Sequence, residues 1–408
     1  MTVVVGGGAA GLCAAILIAR TGLKITLLEQ NDRIGKKILV SGNGKCNITN
    51  RHITPERFHS TNPEFVRNAL EGYDLESVVS FFDGIGLVLQ EGKEGKMFPM
   101  SMQAAGVVEI LEYEAKRAGV NILCGCRVER IGKTEEGFVL ETSLGVKQCQ
   151  TLLITAGSVA AEKLGGNNSG YMFASSLGHA LIPRHPALVQ LCSEEAWVQA
   201  CAGVKIPGVA TLYANGEEIM QKEGDLLFTN YGISGLAILD LSREVSLRLA
   251  AFEYCELSLD LLPSYSKERL TNLLTAHITK GSDKPLLLWL QGFMHKKLAK
   301  VVLEHAKCQS AQEGALNRKE INRIVHTIKH LKLGISDTRG FAYAEVATGG
   351  VDTAQIDPET MASKLVPNLY FAGEVLDVDG DRGGYNFHFA WVSAMRAAEA
   401  INRSIRSR

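Results

Sequence analysis

The sequence predicts an α/β chain in which a parallel sheet flanked by helices is interrupted by an inserted segment. Three observations predict it. The amino terminus reads strand, glycine-rich turn, helix, strand, acid. The carboxyl terminus reads strand, glycine pair, long helix. Between them lie alternating strand-like runs and then a helical stretch. The 408 residues accommodate two or three domains at about 150 residues each.

Composition narrows the class. Apolar residues are 46% and charged residues 21%, which excludes disordered and fibrous chains. The formal charge of −1 gives no whole-chain electrostatic reason to expect nucleic acid or an acidic membrane as partner. No apolar run reaches the ~20 residues of a membrane span. Leu12–Ala19 lacks a basic leader and follows Gly6, Gly7 and Gly8, so it does not read as a signal core. A cytoplasmic protein with a small-molecule substrate, no nucleic-acid partner and no membrane association is expected. The nine cysteines include no Cys-x-x-Cys, so neither a redox dithiol nor a zinc ribbon is expected. His326 and His330 share a helical spacing but have no third ligand in view, and they read as solvated histidines.

Each element can be justified in turn. Thr2–Val5 is a short β-branched strand. Gly6-Gly7-Gly8-Ala9-Ala10-Gly11 follows, then an apolar helix through Arg20, then a strand Lys24–Leu28 ending in Glu29. Gly6 permits the tight turn, Gly8 lets a pyrophosphate approach the backbone, and Gly11 lets helix and strand pack closely. The free N–H groups at the helix start attract phosphate. Glu29, with Gln30 beside it, is placed to accept ribose hydroxyls. This is the Rossmann fingerprint, used for NAD and FAD alike; the acid disfavours a 2′-phosphate.

A second glycine-rich segment runs from Gly35 to Asn50. It contains Lys36, Lys37, Ser41, Gly42, Asn43, Gly44, Lys45, Cys46 and Asn47, and reads as a polar loop able to wrap a ligand. Cys46 replaces the Ser or Thr of a Walker A loop. Near the other terminus, Leu369–Ala372 is a buried-type strand ended by Gly373-Glu374. After an acidic loop containing Asp379, Gly383-Gly384-Tyr385-Asn386 opens a helix from Phe387 to about Arg403. Donors at such a helix start would stabilise charge on a reduced cofactor, and Gly384, Tyr385 and Asn386 are the candidates. In the middle, Asn215-Gly216 is a hairpin signal, Phe252–Leu262 alternates as a strand, and Ser266 is an N-cap for helical sequence to about Lys329.

The segment Gly35–Asn50 resembles the signature of the BaiN-like or YhiN-like flavoproteins, also known as the aminoacetone oxidase family. Leu226–Gly235, Thr348–Val351, Asn368–Gly380 and Gly383–Asn386 resemble further blocks of that family, so the resemblance spans essentially the whole chain. It implies a glutathione-reductase-like, Rossmann-like FAD/NAD(P)-binding fold with an inserted β-barrel domain and a small helical subdomain. The implied boundaries are 1–187 with 336–408 for the FAD-binding domain, 188–262 with 330–335 for the barrel, and 263–329 for the helical part. It also implies Val128 against the adenine, and Ala156 and Gly157 in a turn that re-approaches the dinucleotide. Ser169, Asn230, Leu236 and Arg382 depart from the family pattern of Asp, His, Pro and a small residue, which leaves the substrate open.

The implied activity is hydride transfer between FAD and a small organic substrate. Reduction of a conjugated enone of bile-acid type with NAD(P)H is the first reading. Oxidation of a small amine such as aminoacetone and a non-catalytic flavin scaffold are the alternatives. A single fingerprint means that NAD(P)H would visit transiently. Tyr385, Lys45 and Arg382 are the candidate catalytic groups.

Overall fold

The computed structural model describes residues 1–406. The chain divides into two compact units, 1–185 with 345–408 and 186–344.

The first unit is built on a five-stranded parallel sheet in the order Leu369–Phe371, Thr151–Ile154, Thr2–Val5, Ile25–Leu28, Asn121–Leu123. Thr2–Val5 is central and buried throughout. Its flanking strands are likewise rich in Ile, Leu and Thr, as a sheet covered on both faces requires. The helix Ala9–Ala19 is buried on nearly every side and packs against the closing helix Tyr385–Arg406. Their junction is the core of the unit: Trp391 is fully buried and sits edge-on to Phe82 at 5.2 Å. A three-stranded meander, Val128–Thr134, Gly137–Thr142 and Gly145–Cys149, is antiparallel.

The second unit carries a seven-stranded antiparallel sheet. Its end strands are two halves of one stretch. Leu331–Ile335 pairs with Cys255–Leu259, and Asp337–Thr338 pairs with Leu191–Cys192, so the sheet closes on itself. Asn215 and Gly216, at φ +49° and +88°, form the expected hairpin between Lys205–Ala214 and Glu217–Phe228. Three expectations need correction. Leu236–Ala250 is a helix within a region read as strands; its buried residues Ala237, Ile238, Leu241, Ser242 and Val245 follow helical spacing. The strand expected at Phe252–Leu262 is confined to Cys255–Asp260. Residues 336–344 belong to this unit, because the pairing of 337–338 with 191–192 ties them to the barrel and not to the nucleotide fold. The helices Lys267–Ala276, Lys296–His305 and Arg318–Lys329 pack on one another. The Ser266 hydroxyl caps the first by accepting the Arg269 N–H at 3.1 Å.

No helix among the described residues is long and apolar enough to cross a membrane.

Candidate functional site

The opening turn is shaped by close backbone approach. Gly6 adopts φ +110°, and a Cβ there would lie 2.4 Å from the Thr155 carbonyl oxygen. A Cβ on Gly11 would lie 1.9 Å from the Gly6 oxygen, so helix and strand meet at this residue. The Thr155 hydroxyl holds the turn from the other side, donating to the carbonyls of Val5 and Gly6 at 3.0 and 2.9 Å. Gly8 is different: a Cβ there would meet nothing within 4 Å. The space it leaves faces the start of Ala9–Ala19, which has no acidic residue in its first turn. The unpaired N–H groups and positive end of that helix suit an anion.

Glu29 is buried at 7% exposure. One carboxylate oxygen accepts the Gly7 N–H at 2.7 Å, and the other accepts the backbone and side-chain N–H of Asn31 at 2.8 and 2.6 Å. A carboxylate has about four acceptor directions, so a ribose hydroxyl would join a group already oriented by the protein. Beyond it lies an open cavity of about 590 Å³. It is lined by three stretches of the chain: Gln30 and Asn31; Gly125, Arg127 and Ser143 of the meander region; and Glu162 with Gly165, Gly166 and Asn167. The Gln30 amide is held on the Gly165 carbonyl at 2.8 Å, and Val128, buried, adjoins Arg127. Sequence reading missed Asn31, Arg127 and Ser143. Their only signal was polar residues next to the anticipated Gln30 and Val128.

The second glycine-rich segment is not the continuous loop expected. Lys36–Val40 is helical and buries Ile38; the helix breaks at Ser41 (ψ 148°) and at the left-handed Gly42 and Asn43. The irregular stretch continues through Gly44 and through Cys46, a non-glycine residue at φ +58°. Burial pushes the Cys46 thiol up to about 12, so its sulfur stays protonated and is no nucleophile. Lys45 is exposed. The side-chain oxygen of Asn47 is buried without a hydrogen-bond partner.

The two ends of the chain meet around this segment. The Asn50 amide donates to the Gly383 carbonyl at 2.9 Å. The Trp391 indole donates to the Ile48 carbonyl at 2.9 Å, and the Thr49 hydroxyl lies 2.8 Å from His388 Nδ1. Gly384, at φ +105°, would carry a Cβ only 2.5 Å from the Thr49 oxygen and 3.1 Å from the orphaned Asn47 oxygen. Gly373 brings its turn against the opening helix, where a Cβ would sit 3.0 Å from that of Ala10. Ala9 and Ala10 are buried in that helix. Ala156 and Gly157 follow the strand Thr151–Ile154, and the Cβ position of Gly157 is open.

Several anticipated ligand groups are engaged in holding the fold. Both polar atoms of the Asn386 amide bond the Gly380 backbone at 2.8 Å, which ties the acidic loop to the helix start. Glu374 accepts from Lys37 at 2.8 Å, Ser158 at 2.6 Å and the Ala347 N–H at 3.2 Å. Lys36 pairs with Asp32 at 2.8 Å. Asp379 is buried on a two-residue strand paired with Phe58–His59. Tyr385 is buried, and its hydroxyl donates to the His52 carbonyl at 3.3 Å; its ring packs edge-on to Phe58 at 5.8 Å. A hydroxyl so placed is a joint and not a free proton donor. Arg382 is half-buried, and its charge reaches Glu94, whose carboxyl is held low chiefly by Lys96.

Residues 1–400 match the HI0933-like protein Rossmann domain. The chain belongs to the HI0933-like family. A 3-dehydro-bile acid delta(4,6)-reductase of Clostridium scindens is 34% identical over 97% of this chain and 98% of its own length. A ribosomal RNA dihydrouridine synthase of Haemophilus influenzae is 34% identical over 98% of each chain, and one of Escherichia coli is 30% identical over 98% of this chain and 97% of its own. Among solved structures, the fold is similar to a 3-ketosteroid-delta4-(5alpha)-dehydrogenase of Rhodococcus jostii. That match has a TM-score of 0.53 at 14% identity, over 98% of this chain and 96% of that one. This HI0933-like chain is therefore an FAD-dependent oxidoreductase with a Rossmann-like FAD-binding domain. Its residues suit the cofactor: the opening above Gly8, the anion-ready helix start and the orphaned Asn47 oxygen are each what a bound dinucleotide would complete.

Proposed function

We propose that this protein is an FAD-dependent reductase of a carbon–carbon double bond conjugated to a carbonyl, reduced in turn by a transiently bound nicotinamide nucleotide. The observation that carries the reading is a chemistry shared by its relatives. A bile-acid delta(4,6)-reductase and a dihydrouridine synthase act on very different molecules, yet each saturates a double bond conjugated to a carbonyl group. FAD, when bound, supplies the hydride acceptor and donor for such a reaction.

The protein's part is position and electrostatics. The start of Ala9–Ala19 and the space at Gly8 would hold the pyrophosphate, Glu29 the ribose, and the cavity between Gln30 and Arg127 the adenine side. The Asn47 side-chain oxygen would accept an N–H of the flavin's polar edge, and the first-turn N–H groups after Gly384 would donate to that edge and favour its anionic reduced form. Lys45, exposed in the second glycine-rich segment, would orient the substrate carbonyl, with Arg382 a second cation for that role.

The test is an anaerobic donor screen on the yellow holoprotein. Bleaching by NADH or NADPH, then rapid recovery with a conjugated enone and slow recovery in air, is expected. Bleaching by aminoacetone with peroxide release would replace this reading with an amine oxidase. Indifference to every donor would replace it with a scaffold.

A further inference from the structure

The stretch Leu226–Gly235 belongs to the second unit, and the core accounts for only part of it. Leu226, Phe228 and Ile233 are fully buried. The pairing of Phe228 with Ile233 leaves a tight hairpin between them. The Thr229 N–H and hydroxyl both donate to the Gly232 carbonyl, at 2.9 and 3.0 Å, so Asn230-Tyr231 form a two-residue tip. Gly232 is required there: at φ +149° a Cβ would lie 2.2 Å from the Leu191 carbonyl oxygen. The tip is therefore seated against the strand Leu191–Cys192, and Tyr231 is held in place.

The other side of the same strand places a cation. Leu191 pairs with Thr338, and the Arg339 N–H donates to the Gln190 carbonyl at 2.9 Å. Gly340, at φ +71°, turns the chain, and the Tyr343 N–H closes that turn on the Gly340 carbonyl at 3.2 Å. Arg339 Cζ lies 4.0 Å from the ring centroid of Tyr231 and 3.8 Å from that of Tyr343. Two tyrosine rings thus flank one guanidinium. Its N–H groups, however, meet no hydrogen-bond acceptor or carboxylate among the described residues. Asp337, the nearest acid in the sequence, folds its carboxylate back onto the Thr338 N–H at 2.6 Å. Gln190, opposite Arg339 and on the same face of the pairing, has a buried side-chain oxygen with no partner.

Stacking satisfies the two faces of a guanidinium and none of its donors. The rings strip water from those faces and hold the plane in one orientation, so a ligand would meet an arginine already ordered and partly dehydrated. A planar fork of N–H groups in that state matches a carboxylate or a phosphate bidentately. Tyr343 is 48% exposed, and Arg339 and Tyr231 are half-buried, so solutes can reach the cluster. We infer that Arg339, flanked by Tyr231 and Tyr343 and with Gln190 opposite, is a binding site for the carboxylate or phosphate of a small organic anion. The Gln190 oxygen would accept a hydrogen bond from a hydroxyl or ammonium next to the anionic group. All four residues belong to the second unit, and the site does not depend on the reductase reading.

The test is calorimetry on the FAD-loaded full chain, in which the anion-ready turn of the nucleotide site is already filled. The probes are mandelate, phenyl phosphate and the neutral mandelamide. Wild type should bind at least one of the two anions, more weakly as salt rises, and should ignore the amide. The anion it prefers tells carboxylate from phosphate. Arg339→Gln should lose about tenfold or more in affinity, as removal of a charge-assisted pair requires. Arg339→Lys keeps a cation between the rings but not the fork, and should lose about tenfold as well, with flavin content and urea midpoint unchanged. Should Arg339→Gln prove unstable, the lysine variant decides alone. Absence of anion binding by wild type, equal binding of mandelamide, or wild-type affinity in either variant would each overturn the inference.

Discussion

The nucleotide-binding unit and the helical segment bury carboxylates for opposite reasons. In the first, Glu29 is drawn in to orient a turn, and its donors, the Gly7 and Asn31 N–H groups, stand beside open space. In the second, Glu320 is drawn in to staple a loop to a helix, accepting the N–H groups of Gln309 and Ser310 at 2.9 and 3.1 Å and completing a capping box with Asn317. One unit arranges polar groups around a place for a ligand. The other uses its polar groups to close a loop. The difference teaches that a buried acid marks a site only when its surroundings are incomplete.

The contrast can be broken most severely at Gly11. Its Cβ would lie 1.9 Å from a backbone oxygen, and no side-chain rotation relieves that. Gly11→Ala is expected to cost about 3 kcal/mol or more. Urea unfolding and flavin absorbance should fall together, because the same contact sets both the sheet and the turn.

Glu320→Ala comes next and acts on the helical segment. Burial raises the Glu320 carboxyl, but the Ser310 hydroxyl and the N–H groups of Ser310, Gln309 and Asn317 outweigh it and hold the group at about 2. Loss of these charge-assisted bonds should cost about 2–3 kcal/mol, read as earlier urea unfolding. The folded value lies below the ordinary one. The contribution is therefore complete above the ordinary carboxyl range and disappears as pH falls toward about 2. Flavin occupancy should be unchanged, which separates this carboxylate from Glu29.

His388 gives a milder, pH-dependent effect on the first unit. Burial lowers its ring to about 4, so the folded chain holds it neutral beside Thr49, while the unfolded chain protonates it near 6.5. Stability is complete above the unfolded value and is lost as pH falls toward the folded one. Between pH 7 and 5 the loss should be about 2 kcal/mol. Unfolding midpoints at the two pH values should differ for wild type and converge for His388→Gln.

These positions also mark what was legible in the sequence. The opening fingerprint, the Asn215-Gly216 hairpin and the Ser266 cap were readable because each is decided within a few residues, by φ preference or a local hydrogen bond. The helix Leu236–Ala250 was masked by surrounding strand signals, although its buried residues repeat at helical spacing. The attachment of 336–344 to the barrel was hidden because it depends on a pairing with 191–192 that sequence distance conceals. In the site, the approach of Gly384 to Thr49 and the use of Asn386, Glu374 and Tyr385 as joints are tertiary facts. Residue type announced polar groups near a ligand but not which of them the fold would consume.

The smallest expected change in stability is the sharpest test of the comparison. Gly8 stands three residues before Gly11 in the same motif, at φ −84°, ψ −165°, a conformation open to any residue. Its Cβ position is empty to 4 Å. Gly8→Ala should therefore shift unfolding by less than about 0.5 kcal/mol. If the emptiness is room for a pyrophosphate, the added methyl will occupy it, and the alanine variant will purify paler and release FAD faster on dilution at unchanged urea midpoint. Full flavin retention in Gly8→Ala would mean that the phosphates approach elsewhere, and the opening turn would then be, like the Glu320 staple, a device of the fold alone.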